Sequence, residues 1–397
     1  MPPKQIGIAG AGIGGLAAAA ALSADGHQVT VFDQFTTPAP VGSGLVIQPV
    51  GQDVLDLIGA GDMARQMGQP IKRMLGHEST SNRAILDVTY DPKDSTGKYG
   101  LAMHRSALFH AVLEAAQHAG ATLCPDHQVT GVTSADKRQL IFETGAKSPP
   151  FDLIVDATGA KSPLSPLKAR ALPYGAIWGT VDWPMELPVD TSLPLDLLSQ
   201  RYHKASTMIG ILPVGFLPNH QARKAALFWS LTQSDLEIWR SEPIEVWKTQ
   251  ATTLWPAMAP FLEGITDHTQ MTTAFYSHGT LRTPAANGLV HIGDAAHRAS
   301  PQLGQGANMA LLDAWALSLS LKEVPDISDA LRRYTRMRRR HLWLYQLMSA
   351  AFTPLYQSDS RWLPRLRDHI LTPLSRIPPA PSVLSRLVCG DLIRPIR

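Results

Sequence analysis

The pattern of apolar and polar positions divides the first 33 residues into a strand, a helix and a second strand. Residues 5–9 form a short apolar run typical of a buried strand, and residues 13–24 are rich in Ala and Leu, as expected of a helix. Turn residues at 25–27 precede a second apolar run at 29–32. This order and length predict a βαβ unit at the start of a parallel sheet.

Apolar runs farther along the chain predict further elements. They indicate a helix over residues 101–119, strands over 151–157, 208–212, 225–231 and 288–293, and a helix over 306–321. Between about 178 and 276 prolines are frequent and short strands alternate with loops, which indicates an inserted sheet-rich domain. Beyond residue 330 the pattern is helical and interrupted by prolines.

Together these elements predict an α/β fold with a Rossmann-like dinucleotide-binding domain, an inserted substrate domain and a helical C-terminal segment. We expect the Rossmann-like domain to comprise residues 1–175, with some strands near 70–100 given to the substrate domain, and residues 278–330. The inserted sheet then covers 176–277 and the C-terminal segment 331–397.

Composition supports a large folded interior, with 397 residues of which 44% are hydrophobic and 17% charged. Two cysteines are too few for a disulfide scaffold or a cysteine-based zinc site, and no metal is expected. The sequence has no uninterrupted apolar stretch of the length that a transmembrane helix needs, so we expect a cytoplasmic protein.

The net charge of +3 hides an uneven distribution. Residues 331–397 contain 13 Arg, no Lys and 3 Asp. A solvated arginine face on a helical cap is one interpretation, and weak contact with an anionic membrane surface is the other. Nucleic acid is not expected as a partner, and the sequence does not indicate an oligomeric state.

A glycine-rich turn between the first strand and the first helix satisfies the G-x-G-x-x-G pattern. Gly10 permits the tight turn, Gly12 lets the backbone approach a pyrophosphate, and Gly15 lets helix and strand pack closely. Asp33 ends the second strand, where a carboxylate binds an adenosine ribose. The residues predicted to contact the dinucleotide are Gly10, Gly12, Ile13, Gly14, Gly15 and Asp33.

A second segment distinguishes the type of dinucleotide. A Gly-Asp pair at 293–294 follows a predicted strand, and a Pro-x-x-Gly-Gln-Gly-x-Asn run at 301–308 precedes a predicted helix. In these features the sequence resembles the class A FAD-dependent flavoprotein monooxygenases, the aromatic-hydroxylase superfamily. The resemblance implies that Asp294 binds the ribityl chain of FAD and that Pro301 borders the flavin face where oxygen and substrate meet. It further implies that the flavin ring is faced by Gly304, Gln305, Gly306, Ala307 and Asn308.

A third segment matches the middle motif of the same family, with two departures. Asp152, Gly159 and Ser162 match, whereas Asp156 stands at a usual Gly and Thr158 at a usual Asp. In the family this motif serves the FAD pyrophosphate and NAD(P)H docking, so the departures bear on reduction by NAD(P)H.

Three further features extend the resemblance. Arg105 matches a family arginine near the flavin, with a surface salt bridge as the alternative. Gly44 lies in a loop, beginning at Gly42, that resembles the family's loop beside the flavin. The C-terminal run loosely resembles the ubiquinone-biosynthesis hydroxylase branch.

The resemblance implies external monooxygenation. NADPH or NADH reduces FAD, O₂ adds at flavin C4a, and the hydroperoxide hydroxylates or epoxidises a small aromatic or apolar substrate. The alternatives are a flavin oxidase, dehydrogenase or halogenase on the same scaffold, which Thr158 motivates, and a flavin-binding redox partner that uses the basic tail.

Residue type and region give candidates for the substrate side. A base for a phenolic substrate is sought among Tyr202, His203, Tyr276 and His278, each of which has a core or solvated role as the alternative. The residues that could line an apolar pocket, or simply fill the core, are Trp178, Met208 and Trp229.

Overall fold

A computed structural model of the chain describes residues 2–36, 43–134, 137–186 and 193–396. The strands are β1 (Gln5–Ala9), β2 (Gln28–Phe32), β3 (Gly44–Ile47), β4 (Gln69–Ile71), β5 (Arg73–Glu78), β6 (Ala84–Thr89), β7 (Gly100–His104), β8 (Thr122–Cys124), β9 (Val129–Val132), β10 (Leu140–Phe142), β11 (Leu153–Asp156), β12 (Arg170–Asp182), β13 (Leu197–His203), β14 (Thr207–Phe216), β15 (Arg223–Thr232), β16 (Met271–Thr280), β17 (Ala285–Ala286), β18 (Leu289–His291) and β19 (His297–Arg298).

The helices are α1 (Ile13–Ala24), α2 (Pro49–Leu57), α3 (Gly61–Met67), α4 (Arg105–His118), α5 (Gln233–Ser241), α6 (Ile244–Leu254), α7 (Ala259–Leu262), α8 (Gly306–Glu323), α9 (Ile327–Tyr356), α10 (Leu363–Leu366), α11 (Thr372–Ser375) and α12 (Ala380–Cys389). A π-helical turn, Arg367–Leu371, connects α10 to α11.

The N-terminal βαβ unit lies at the centre of a sheet with strand order β17-β18-β11-β1-β2-β8. From β18 to β8 the strands are parallel, and Ile6 and Ile8 of β1 are completely buried. Helix α1 packs against α4 and α8. The approach of α8 is close, because a Cβ on Gly14 would lie 3.2 Å from that of Ala310. The α/β character and the first elements are therefore confirmed.

The helix predicted over 101–119 is wrong in its first part. Residues 100–104 form β7, which pairs antiparallel with β3 and β4, and α4 begins only at Arg105. The His104 side chain caps this helix by accepting a hydrogen bond from the Ser106 N–H at 3.1 Å. Leu101 and Met103 are both buried, so the strand reads as a continuous apolar run, which periodicity cannot separate from a buried helix.

A mixed sheet of eight strands forms the substrate domain, in the order β19-β16-β12-β15-β14-β13-β5-β6. Strands β5 and β6 come from residues 73–89, where substrate-domain strands were predicted. The sheet extends beyond the predicted limits of 176 and 277, because β12 begins at Arg170 and β16 ends at Thr280. One sheet face packs on the apolar sides of α5 and α6 through Trp239 and Trp247.

Buried polar contacts hold the parts of the C-terminal segment together. The His341 ring contacts the Gly390 carbonyl oxygen at 2.8 Å, and the Tyr345 hydroxyl donates to the Leu387 carbonyl at 3.0 Å. Arg338 Nη1 donates to the Pro395 carbonyl at 2.9 Å. Over the described ranges, no helix is both long and apolar enough to cross a membrane.

Candidate active site

The glycine-rich turn has the geometry that a pyrophosphate requires. Gly10 has a φ of +101°, and a Cβ there would lie 2.6 Å from the Ala157 carbonyl oxygen. A Cβ on Gly15 would lie 2.0 Å from the Gly10 carbonyl oxygen, whereas one on Gly12 would meet no protein atom within 4 Å. Helix α1 begins at Ile13 with no acidic residue in its first turn. The open space before these N–H groups therefore fits an anionic ligand.

Asp33 lies directly beside this turn. Its Oδ2 accepts a hydrogen bond from the Ala11 N–H at 2.7 Å, and its Oδ1 accepts one from the Phe35 N–H at 3.0 Å. These bonds fix the carboxylate while leaving acceptor capacity for ribose hydroxyls.

The turn that carries Asp294 is held from behind by Asp313 of α8. The completely buried Asp313 carboxylate accepts hydrogen bonds from the Gly293 N–H at 3.0 Å and Arg338 Nε at 2.8 Å, and pairs with His297 Nε2 at 2.6 Å. Burial by itself raises the pKa of Asp313, but the charges and hydrogen bonds of His297 and Arg338 outweigh it and lower the pKa to about 2. His297 is thus a positioning residue, and Asp294 is left exposed and lines the cavity.

The turn at 301–308 is fixed by Asn308. Its Oδ1 accepts from the Gln48 N–H at 2.8 Å, and its Nδ2 donates to the carbonyls of Gly304 at 2.9 Å and Val46 at 3.2 Å. Gly304 adopts a φ of +60°, and α8 begins at Gly306 with no acid in its first turn. The unpaired N–H groups of α8 therefore point toward the cavity end that Pro301, Gly304, Gly306 and Ala307 line.

Gly44 and Arg105 line the same cavity as Asp294. A Cβ on Gly44 would lie 2.5 Å from the Ala226 Cβ, so this glycine permits close contact between β3 and the substrate sheet. Gly42, the start of the predicted loop, lies outside the described residues.

The departures from the middle motif form one buried network around Asp156. Its Oδ1 accepts from the Thr158 hydroxyl at 2.6 Å and its Oδ2 from the Ser162 hydroxyl at 2.6 Å. The His291 ring on the adjacent strand contacts Oδ2 at 2.6 Å. Burial raises the pKa of Asp156, but the hydrogen bonds, that of His291 above all, lower it overall. Gly159, with a φ of +80°, then starts the following turn.

A cavity of about 740 Å³ connects the 301–307 turn to the substrate sheet. On the sheet side it is lined by Trp178, Met208, Phe228 and Tyr276, among other residues. The Trp178 Nε1–H donates to the Tyr276 hydroxyl oxygen at 3.0 Å. The predicted flavin site and the predicted substrate site, which come from separate sequence segments, therefore face the same cavity.

Comparison with known proteins gives the family. A family model described as an FAD binding domain matches residues 4–347. The chain belongs to the class A FAD-dependent aromatic hydroxylase superfamily. It is therefore an oxidoreductase that binds FAD, and use of NAD(P)H and O₂ is typical of its family.

Relatives and solved structures agree with this membership. The chain is 23% identical over 341 residues to an FAD-dependent urate hydroxylase of Klebsiella pneumoniae subsp. pneumoniae, covering 83% of this chain and 85% of the relative. It is 24% identical over 342 residues to a 2-heptyl-3-hydroxy-4(1H)-quinolone synthase of Mycobacteroides abscessus, covering 84% and 85%. The tetrameric form of 2-methyl-3-hydroxypyridine-5-carboxylic acid oxygenase superimposes with a TM-score of 0.79 at 21% identity, with 97% of each chain covered, which supports the fold.

The candidate bases of this hydroxylase do not all lie at the active-site cavity. His203 lies in a second pocket, where its Nδ1 is 3.3 Å from the Ser79 hydroxyl. Side chains alternate along β13, so His203 and Tyr202 lie on opposite faces of the sheet. The geometry therefore does not support His203 as a base. His278 accepts from the Ser300 N–H at 3.3 Å, so it positions the residue next to Pro301.

Tyr202 and Tyr276 both line the hydroxylase cavity, and the Tyr276 hydroxyl, which accepts from Trp178, keeps its own proton for donation. Burial raises its pKa to about 12, against an opposing contribution from the Trp178 hydrogen bond. The phenol is therefore protonated near neutral pH and acts as a hydrogen-bond donor rather than a base. Of the apolar candidates, Trp178 and Met208 line the cavity, whereas Trp229 lies on the other side of the sheet.

Sequence reasoning missed two glutamines of the cavity wall. Gln200 and Gln357 are both more than nine-tenths buried, and Gln200 Oε1 and both polar side-chain atoms of Gln357 lack a protein partner. The alternation that places Leu198 and Tyr202 on the cavity face could have indicated Gln200. Gln357 follows the end of α9, and no sequence pattern marks it.

Proposed function

We propose that this hydroxylase oxygenates a neutral aromatic substrate that carries an apolar substituent. The observation that supports the proposal most directly is the wall of the cavity. Aromatic side chains line the cavity from the inner strands of the sheet, and aliphatic side chains line it from the edge strand β6, through Leu86 and Val88, and from α12, through Leu384. Such a lining favours a ring at one end and an alkyl or similar group at the other.

Charged groups on the sheet side are already neutralised by the protein. Asp87 forms two hydrogen bonds with Arg73, at 2.7 and 2.8 Å. Arg367 donates to the carbonyls of Leu355 and Lys204, both at 2.9 Å, and to Asp368 at 2.6 Å. A substrate carboxylate placed there would lose its hydration without gaining an ion pair.

Two buried amides and one phenol supply polar recognition. Gln200 and Gln357 can each donate and accept, and Tyr276 can donate. An unpaired buried amide costs about 1–3 kcal/mol, so these side chains fit a substrate that carries its own donor and acceptor groups. The quinolone in the name of the Mycobacteroides abscessus relative has that combination of a polar ring and an alkyl chain.

The cofactor supplies the oxidation when it is bound. Bound FAD would supply the redox chemistry, with two electrons coming from NAD(P)H and the two atoms of O₂ ending in the substrate and in water. The chain's own residues hold the reactants: the 301–307 turn would border the flavin ring, Tyr276 would orient the substrate, and the apolar wall would exclude water.

A matched substrate series tests the proposal. Phenols or quinolones with an alkyl chain are compared with analogues that end in a carboxylate, and substrate-stimulated NAD(P)H oxidation is measured together with ¹⁸O incorporation from ¹⁸O₂. We expect the neutral alkyl compounds to give the higher kcat/KM. A preference for the carboxylates would contradict the proposed substrate class.

Leucine substitutions test the two amides separately. Because each hydrogen bond contributes about 0.5–1.5 kcal/mol, Gln357→Leu and Gln200→Leu should each lower kcat/KM about threefold to tenfold. The flavin-free variants should be at least as stable as the wild type, since an unpaired polar group is removed. Exposed Gln250, replaced in the same way, is the control. Unchanged kcat/KM for every turned-over substrate would exclude the two amides from substrate binding.

A further inference from the structure

The helical run at residues 361–377 presents an apolar surface to solvent. Trp362, Ile370, Leu374 and Ile377 are 74%, 50%, 53% and 57% exposed, and Leu366 and Leu371 are also exposed. We call these six residues the C-terminal apolar face. Steps of three to four residues separate most of them, which brings them to one side of the run. A contiguous patch of this kind marks a binding surface, whereas single exposed apolar residues do not.

The opposite side of the same run is polar and anchored in the protein. The Arg367 guanidinium is buried and lies over the rings of Tyr202 and Tyr356, 5.4 and 5.2 Å from their centroids. The Thr372 hydroxyl donates to the Ile85 carbonyl at 3.0 Å. The run is therefore fixed with its apolar side outward, the reverse of a helix that packs on a core.

Positive charge surrounds the C-terminal apolar face. Arg361, Arg365 and Arg376 are exposed along the run, whereas the carboxylate of Asp368 is paired with Arg367. A second copy of the chain docked on this face by a two-fold axis would bring arginine against arginine. An anionic lipid surface complements both the charge and the apolar side chains.

The apolar face also borders the mouth of the active-site cavity. Leu371 and Leu374 line the cavity and are exposed to solvent at the same time. From these observations we propose that the C-terminal apolar face docks on an anionic phospholipid bilayer, and that an apolar substrate passes from the lipid into the cavity. The docking rests on the surface alone, whereas the substrate passage rests on the proposed function.

Vesicle flotation of the full-length, FAD-loaded protein tests the docking. Vesicles of phosphatidylcholine with phosphatidylserine are expected to bind the protein more strongly than phosphatidylcholine alone, and added salt should weaken the binding. Since each arginine near the surface contributes about a fivefold factor, Arg361→Ala with Arg365→Ala should lower the partition coefficient about 25-fold. Arg240→Ala with Arg282→Ala, at exposed positions outside the run, is the control.

A second pair of variants tests the apolar part. Leu366→Ser with Ile370→Ser should also lower vesicle binding, whereas Ile238→Ser, at a similarly exposed residue of α5, should not. Binding that is equal on neutral vesicles or unchanged in the Leu366/Ile370 variant would overturn the proposal. So would sedimentation showing a wild-type dimer that dissociates in this variant, because a second copy would then cover the face.

The passage of substrate is measured apart from docking. With an alkyl substrate embedded in anionic vesicles, the Leu366/Ile370 variant should lose rate in proportion to its lost binding, while its rate on a short, water-soluble analogue stays at the wild-type level. Equal loss on both substrates would overturn the passage. Vesicle binding without turnover of any neutral aromatic compound would leave the docking standing and refute the proposed function.

Discussion

Replacing Asp313 with Asn should destabilise the flavin domain and reduce its FAD content. The carboxylate meets three donors, on Gly293, His297 and Arg338, and an amide offers one acceptor oxygen in their place. Arg338 is also buried, so its charge would lose its counter-ion. Breaking a buried pair in this way costs about 3–5 kcal/mol.

The pKa of Asp313 gives an independent lower figure. A fall from 3.8 to about 2 corresponds to roughly 2 kcal/mol of stabilisation of the charged form. Because the folded-state pKa is lowered, this stabilisation is fully present above about pH 4 and is lost as the pH falls through about 2. Protonating Asp313 should cost less stability than replacing it with Asn, since the neutral acid keeps part of its hydrogen bonding.

Urea unfolding of the flavin-free protein at neutral pH measures the effect without the contribution of bound FAD. Flavin released on denaturation then gives the occupancy of the purified variant. Asp329→Asn is the control, because its exposed pair with Arg332 should contribute about 1 kcal/mol or less. A loss below 1 kcal/mol in Asp313→Asn, with full flavin occupancy, would refute the reasoning about the buried pair.

Substitutions at four further residues test the cofactor and substrate sites. Gly12→Val should abolish FAD binding while the chain stays folded, as the added side chain enters open ligand space and meets no protein atom; full flavin occupancy would contradict this. Asp294→Ala should yield largely colourless protein, and Asp294→Asn should retain more flavin by absorbance. Tyr276→Phe should lower kcat/KM about threefold to tenfold for substrates that accept a hydrogen bond, without shifting the pH dependence of kcat/KM. If the variant lost the fall in kcat/KM at high pH, the phenol would ionise during turnover, against this expectation. His203→Ala should leave turnover unchanged.

The backbone geometry of the predicted flavin site could be anticipated from the sequence, because tight turns and close packing restrict the residue types that fit there. Gly10 and Gly15 are required by positive φ or by close packing, and no other residue type meets those conditions. Such constraints appear as fixed residue types at fixed spacing. The strand at residues 100–104 was missed because its partners, β3 and β4, lie more than 25 residues earlier in the chain.

The substrate half was less readable because it depends on side-chain direction. Neighbouring positions on β13 send Tyr202 into the cavity and His203 away from it, and a shift of one residue in register reverses the assignment. Asp156 and Thr158 departed from the family motif, and only the fold shows that His291, on an adjacent strand, completes their network.

The contacts of the last ten described residues bear on how this enzyme can be handled. Gln305, in the turn predicted to face the flavin, donates to the Val388 carbonyl at 2.9 Å. Two side chains of α9, His341 and Arg338, contact the carbonyls of Gly390 and Pro395. Trimming the tail would therefore remove the carbonyl that accepts from Gln305 and expose Arg338. Affinity tags belong at the N-terminus. Proteolytic cleavage near the C-terminus should be followed by gradual release of FAD and loss of the yellow colour.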